Sequence, residues 1–205
     1  VYSQADYEGV VDDAYRRYGH FSRRAQDFQG RWNQLLTAKN LIAGCGWGYL
    51  LDEMTTRGFT DLWGFDASAY AIQQAQIVLP VALRSRVFVA DVLSTSDMQD
   101  MRQNAGLRGQ QRFTGVLTED LLPCAASVAE AQTMLANLRA ISQSMAHIIT
   151  PRDSEGVLQP DGSVIYPWGG QLQMPGFLWL SAAEWRAIIG SGERIFLTGT
   201  YEEVP

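Results

Sequence analysis

The chain Asn40-Leu41-Ile42-Ala43-Gly44-Cys45-Gly46-Trp47-Gly48-Tyr49-Leu50 runs from an apolar segment into three glycines at alternate positions. About one strand–helix–strand unit later, a second apolar segment, Trp63-Gly64-Phe65, ends in Asp66. A doubly wound α/β domain uses this order to hold a nucleoside-bearing ligand, with a tight turn after the first strand and a carboxylate at the end of the second.

The spacing narrows the ligand. Glycines at 44, 46 and 48 read G-x-G-x-G, whereas a dinucleotide fingerprint needs its third small residue at 49, which is Tyr49. A pyrophosphate requires close backbone approach at a helix N-terminus and tight strand–helix packing, so this bulk argues against a dinucleotide. No Gly-Lys-Ser/Thr follows, which removes the P-loop reading.

The pattern around the turn predicts alternating strands and helices. Strands are expected at 40–44, 61–66, 86–90, 113–118 and 145–149. Helices are expected at 47–57, at 68–79 with Ser68 as cap, and at 126–144, where Val128, Ala131, Met134, Leu135, Leu138 and Ile141 share a face. A further helix near 181–190 with Ser181 as cap leads into a β-rich run from Arg194 to Tyr201. Such alternation calls for a doubly wound, mostly parallel sheet with helices on both faces. Two helices are expected within residues 5–36, broken near Gly19. The stretch 158–175, rich in Pro and Gly, reads as a hairpin or excursion after strand 5. The whole is read as a single domain of 205 residues: a helical lid over 1–36, a cofactor-binding core over 37–150, and a substrate-side excursion, helix and terminal strand over 151–205.

Residues 36–150 resemble the class I S-adenosylmethionine-dependent methyltransferases, a family with a Rossmann-like fold. The resemblance rests on the loop Gly44–Gly48, on Asp66, and on Asp91 in Val87-Phe88-Val89-Ala90-Asp91-Val92. It implies S-adenosylmethionine as cofactor, with the glycine loop against its methionine part, Asp66 on the ribose hydroxyls and Asp91 on the adenine amino group. The cofactor-contacting set it implies is Gly44, Cys45, Gly46, Gly48, Asp66, Ala67, Asp91, Val92 and Thr118. One position departs from the family. Where an acid usually stands two residues before the first glycine, this chain has Ile42. Relatives of this class usually finish with two antiparallel strands, of which one is visible here.

Catalytic candidates are weaker. Glu119 and Asp120, after strand 4, either take a proton from an acceptor or orient it, or are simply acids near a helix N-terminus, favoured by its dipole. Asp66 and Asp91 have corresponding structural readings, as a cap ahead of a helix and as a strand-end turn residue. His147 on strand 5 is a packed or cleft-lining side chain, or a general base. His20, at the junction of the N-terminal helices, has the same two readings. The loop after strand 4 is not the Asp/Asn-Pro-Pro-Tyr/Phe sequence of amino-methylating DNA enzymes. Methyl transfer from a sulfonium needs alignment and exclusion of water more than a strong base.

Composition excludes several classes. A content of 46% apolar and 19% charged residues is that of a soluble globular protein. A net charge of −6 gives no general support for tracking phosphates. Arg16, Arg17, Arg23, Arg24 and Arg31 nevertheless concentrate near the start, as a solvated basic face or as partners for an anionic substrate group. Cys45 and Cys124 make neither a metal motif nor a disulfide framework, and no His/Asp/Glu cluster has metal spacing. There is no apolar run of about 18 residues to span a membrane, and no signal-peptide core at the start. Cytoplasmic location is the expectation, and a chain that begins at Val1 without Met is expected to have been trimmed. The aromatics Tyr166, Trp168, Phe177, Trp179 and Trp185 either pack internally or present a flat apolar surface to an acceptor. The expected activity is methyl transfer to a small molecule. A non-catalytic cofactor-binding subunit and a nucleic-acid methyltransferase are the alternatives. Oligomeric state is not legible.

Overall fold

A computed structural model describes residues 35–149, 157–158, 164–165, 171–172, 178, 180–191 and 193–197. Up to residue 34, the N-terminal helices expected over 5–36, with His20 and the arginine cluster, lie outside the described residues. So do Tyr166, Trp168, Phe177, Trp179 and most of the 151–177 excursion.

The described chain runs β1 (Lys39–Ala43), α1 (Tyr49–Thr56), β2 (Asp61–Asp66), α2 (Ala69–Val78), α3 (Val81–Arg84) and β3 (Val87–Val89). It continues through α4 (Thr95–Asn104), β4 (Phe113–Glu119), a 3-10 turn (Leu122–Cys124), α5 (Val128–Ile141) and β5 (Ser142–Ile149). Two-residue strands β6 (Val157–Leu158), β7 (Val164–Ile165) and β8 (Gln171–Leu172) pair antiparallel in a small sheet of their own, in the stretch expected to form a hairpin. Then come α6 (Ala182–Ile189) and β9 (Arg194–Leu197).

The main sheet has the order β3-β2-β1-β4-β5-β9, and every pairing in it is parallel. Parallel strands are buried on both faces and so read as continuous apolar runs. Leu41, Ile42 and Ala43 in β1 are accordingly all buried. Successive residues feed two cores. Leu41, Ala43, Phe65, Val116 and Met145 meet Met98 and Met101 of α4, Leu135 and Leu138 of α5, and Trp185 of α6. Ile42, Leu62, Leu117 and Ile148 meet Leu50, Leu51 and Met54 of α1 and Ile72 and Ala75 of α2. The domain is therefore a doubly wound, Rossmann-like α/β fold.

Local chemistry explains the helix ends. The Ser68 hydroxyl accepts the Ala71 N–H at 3.3 Å at the start of α2, and Pro80 stops that helix and opens α3. Ser181 and Glu184 form a reciprocal capping box on α6.

One expectation needed correction. Helical periodicity through residue 144 is overridden at Ile141, because Ser142 and Ser144 pair with Phe113 and Gly115 of β4, and the Ser144 hydroxyl donates to the Thr114 carbonyl at 2.7 Å. The terminal strand β9 runs parallel to β5. The helix α6 separates the two strands in sequence, and a helical crossover returns the chain in its original direction. Among the described residues no helix is long and apolar enough to cross a membrane.

Candidate functional site

The strand order reverses between β1 and β4. From β1 the chain first adds β2 and β3 on one side, then β4 and β5 on the other. In such sheets a crevice opens beyond the carboxyl ends of the strands at this switch point. The predicted site residues Gly44–Gly48, Asp66, Ala67, Asp91, Val92, Thr118, Glu119 and Asp120 all lie at this end of the sheet.

The β1–α1 turn has Gly44, Gly46 and Gly48 at φ of 71°, 52° and 83°, where a Cβ is strained. Two of the three are also packed. A Cβ on Gly44 would stand 3.0 Å from Leu121 Cδ1, and one on Gly48 2.9 Å from Leu79. Trp47 turns toward Tyr49 and Tyr70, with both ring centroids 6.2 Å away.

Asp66 holds this turn in place. Its Oδ2 accepts the Gly46 N–H at 3.0 Å and its Oδ1 accepts the Ser68 N–H at 2.8 Å, joining the first two crevice loops through one half-buried carboxylate. The Cys45 N–H donates to the Phe65 carbonyl at 2.8 Å alongside. Cys45 itself is buried, and its thiol is pushed well above the usual range, first by burial and then by the charge of Asp66. That makes it an inert filler of the turn. Gly64 went unremarked in the sequence; a Cβ there would meet Leu51 at 2.8 Å and Cys45 Sγ at 3.0 Å. Its bareness lets the turn and α1 lie flat on the sheet.

Asp91 sits at the same end, one strand over. The Ala90 N–H bonds the Asp66 carbonyl at 3.1 Å, so the β3 exit is tied to the end of β2. Asp91 Oδ1 accepts the Leu93 N–H at 2.9 Å, and its own N–H donates to Asp97 Oδ2 at 2.9 Å. Hydrogen bonds from the Asp91 backbone and the Ser94 hydroxyl hold the Asp97 carboxyl below its usual range. The Asn137 amide, on α5, donates to the Val92 carbonyl at 2.8 Å and ties this loop to the helical layer. Asp91 thus has a strand-end turn role within a loop that borders the crevice.

After β4 the chain bends sharply. Asp120 has φ 45°, the left-handed region, a conformation that costs a non-glycine residue about 1–2 kcal/mol. Its N–H donates to the Ile148 carbonyl at 2.9 Å, and its carbonyl accepts the Cys124 thiol at 3.2 Å. Glu119 and Asp120 are half-buried here. Thr118 and His147 are fully buried, so neither side chain meets the crevice surface; their Oγ1 and Nδ1 lie 2.9 Å apart. Glu193 and Arg139, which no motif singled out, complete a polar chain behind them. No local signal marks that grouping, because 46 residues separate His147 from Glu193.

No protein-family model matches the chain, and no curated protein matches its sequence. Solved structures do resemble it. An S-adenosylmethionine-dependent methyltransferase from Clostridium acetobutylicum aligns at TM-score 0.58 and 11% identity, over 89% of this chain and 82% of that one. An amino pentose methyltransferase of calicheamicin biosynthesis from Micromonospora echinaspora, solved with S-adenosylmethionine bound, aligns at TM-score 0.59 and 18% identity, over 92% and 87%. Magnesium protoporphyrin IX methyltransferase from Synechocystis, also with the cofactor bound, aligns at TM-score 0.54 and 16% identity, over 89% and 79%. The likeness shows that this chain shares the Rossmann-like α/β fold of these structures.

Proposed function

We propose that this chain binds S-adenosylmethionine at the switch-point crevice and transfers its methyl group to a small-molecule acceptor. The observation that carries the reading is the position of Asp66. It anchors the glycine turn through Gly46 and caps the next loop through Ser68, at the mouth between β1 and β2. A carboxylate at the end of the second strand accepts hydrogen bonds, and vicinal ribose hydroxyls donate them.

The residues fit the group. The turn at 44–48 brings bare backbone to the ligand, because side chains are barred from Gly44 and Gly48 by φ and by packing. Asp91 and Val92 border the adenine side, and Glu119 and Asp120 border the acceptor side. The bound sulfonium supplies an already activated methyl electrophile. The protein's work is then to align the acceptor and exclude water, with Glu119 or Asp120 orienting the acceptor or taking its proton. Support for a small acceptor comes from the similar structures, whose substrates are a porphyrin and an amino pentose.

A second reading, a subunit that binds the cofactor without turning it over, is favoured by Ile42. This side chain is 2% exposed within the apolar layer under α1 and α2, so the position offers no carboxylate to the ligand's amino end. Calorimetry with S-adenosylhomocysteine tests binding, and no heat at millimolar ligand refutes both readings. Incubating the protein and a metabolite extract with isotope-labelled methyl donor separates them: a labelled product supports the transferase, and binding without transfer supports the subunit.

A further inference from the structure

Behind the crevice lies a polar chain that the proposed reaction does not use. Thr118 Oγ1 is 2.9 Å from His147 Nδ1, and His147 Nε2 is 3.2 Å from Glu193 Oε2. Arg139 closes the far end. Its Nε meets Glu193 Oε1 at 2.6 Å, and its Nη2 donates to Glu193 Oε2 at 3.1 Å and to the Ile189 carbonyl at 2.7 Å. The four side chains come from β4, β5, the turn before β9, and α5. Burial grades along the chain. Thr118 and His147 are sealed, the Glu193 side chain is 14% exposed and that of Arg139 44%.

Hydroxyl, imidazole and carboxylate in this order resemble a hydrolytic triad, but the chemistry does not follow. The hydroxyl is wholly buried, and the Thr118 backbone is paired to Ala43 on one side and His147 on the other. No carbonyl substrate reaches it. The chain therefore acts on the protein itself.

Its hydrogen bonds have one consistent direction. Complete burial disfavours the charged imidazolium, and an ionised Glu193 only accepts, so His147 is neutral with its one proton on Nε2. Nδ1 is then an acceptor, and the Thr118 hydroxyl donates to it. The same short piece of β5 grips the next turn of β4 through its backbone. Glu119 is in register with Ile148, and the Ile148 carbonyl takes the Asp120 N–H at the left-handed bend. One residue of β5 thus holds β4 by its side chain, and the next holds it by its carbonyl.

We propose that His147 is a positioning residue, a neutral imidazole protonated on Nε2. Through Thr118 it fixes the mouth of β4 where Glu119 and Asp120 border the crevice, and through Glu193 it registers that mouth against the turn ahead of β9. The inference deepens the methyltransferase reading, and rests on it only for its effect on ligand affinity. The consequence is that a buried hydroxyl with no route to any ligand governs how well the crevice holds one.

The test uses the full chain with nitrogen-labelled histidine and uniformly labelled backbone. His20→Gln assigns the second imidazole. The expected spectrum at pH 7.5 shows His147 as the neutral Nε2–H form with a hydrogen-bonded Nδ1. Thr118→Val should shift the Asp120 amide resonance and weaken S-adenosylhomocysteine binding about five- to tenfold well below the melting temperature, with Thr118→Ser restoring both. A merely packed hydroxyl would lower the melting temperature and move neither. An Nδ1–H tautomer, an unmoved Asp120 amide in a folded Thr118→Val chain, or an amide that Thr118→Ser fails to restore overturns the proposal. If the unmodified chain binds no S-adenosylhomocysteine, the proposed function fails while the tautomer and the Asp120 resonance still decide this inference.

Discussion

Asp66 Oδ2 accepts the backbone N–H of Gly46 at 3.0 Å, across 20 residues of sequence, and so ties the glycine turn to the end of the second strand. The turn's position relative to β2 thereby depends on one carboxylate rather than on the turn alone.

Replacing that carboxylate should affect both fold and ligand. In Asp66→Asn one position presents an amide NH2, facing either the Gly46 or the Ser68 N–H, where an acceptor is required. The loss of one charge-assisted bond is expected to cost about 1–2 kcal/mol of stability, read by urea unfolding. S-adenosylhomocysteine affinity should fall about tenfold or more, equivalent to about 1.4 kcal/mol, in calorimetry. An unchanged affinity would remove Asp66 from the ligand contacts.

Gly48→Ala meets two obstacles, φ of 83° and a Cβ 2.9 Å from Leu79. The expected destabilisation is about 2–3 kcal/mol, from the left-handed penalty together with overpacking. Combining it with Leu79→Ala should cost less than the sum of the two single changes, because the second removes the clashing atoms and leaves the backbone penalty. Strict additivity in urea titrations would refute the packing account.

The thiols should differ. Burial and the Asp66 charge keep Cys45 protonated and covered, whereas Cys124 is half-buried. A thiol-specific disulfide reagent at pH 8 should titrate Cys124 first and reach Cys45 only after denaturant is added. Rapid modification of both in the native chain would contradict the packing of the turn.

Stability should fall with acid. Burial lowers the affinity of His147 for a proton, against a smaller opposing pull from Glu193, so the folded state binds that proton more weakly than the unfolded chain, whose ordinary value is about 6.5. Below that value the unfolded state carries more protons and stability drops, by at most about 1.4 kcal/mol per pH unit from this group. Burial alone would raise the Glu193 carboxyl, but hydrogen bonds from His147 and Arg139 outweigh it and hold it low. Its stabilisation is therefore present above the ordinary carboxylate range and is lost as pH falls through the lowered folded value. Melting temperatures of the unmodified chain should decline from pH 7 to 5, and His147→Asn should flatten the upper part of that decline.

Much of the architecture was legible in local pattern. Apolar runs of strand length, helical spacing of residues such as Leu135 and Leu138, and caps at Ser68 and Ser181 are short-range signals, and the structure places elements within a few residues of where they point. The glycines at 44, 46 and 48 announced a turn that needs positive φ, and each has it. Where local pattern misled, a pairing won. The helix before β5 ends at Ile141 because Ser142 and Ser144 find partners on β4.

The sequence by itself determined the doubly wound plan and the end of the sheet where Asp66 and Asp91 sit, because both follow from periodicities and turn residues that act within about ten positions. Only the tertiary structure decided that Asp66 bonds Gly46, that β9 runs parallel beside β5, and that Glu193 reaches a buried His147. Those contacts depend on which strand edge is left open once the earlier strands have paired. That is a property of the assembled sheet, and no spacing along the chain records it.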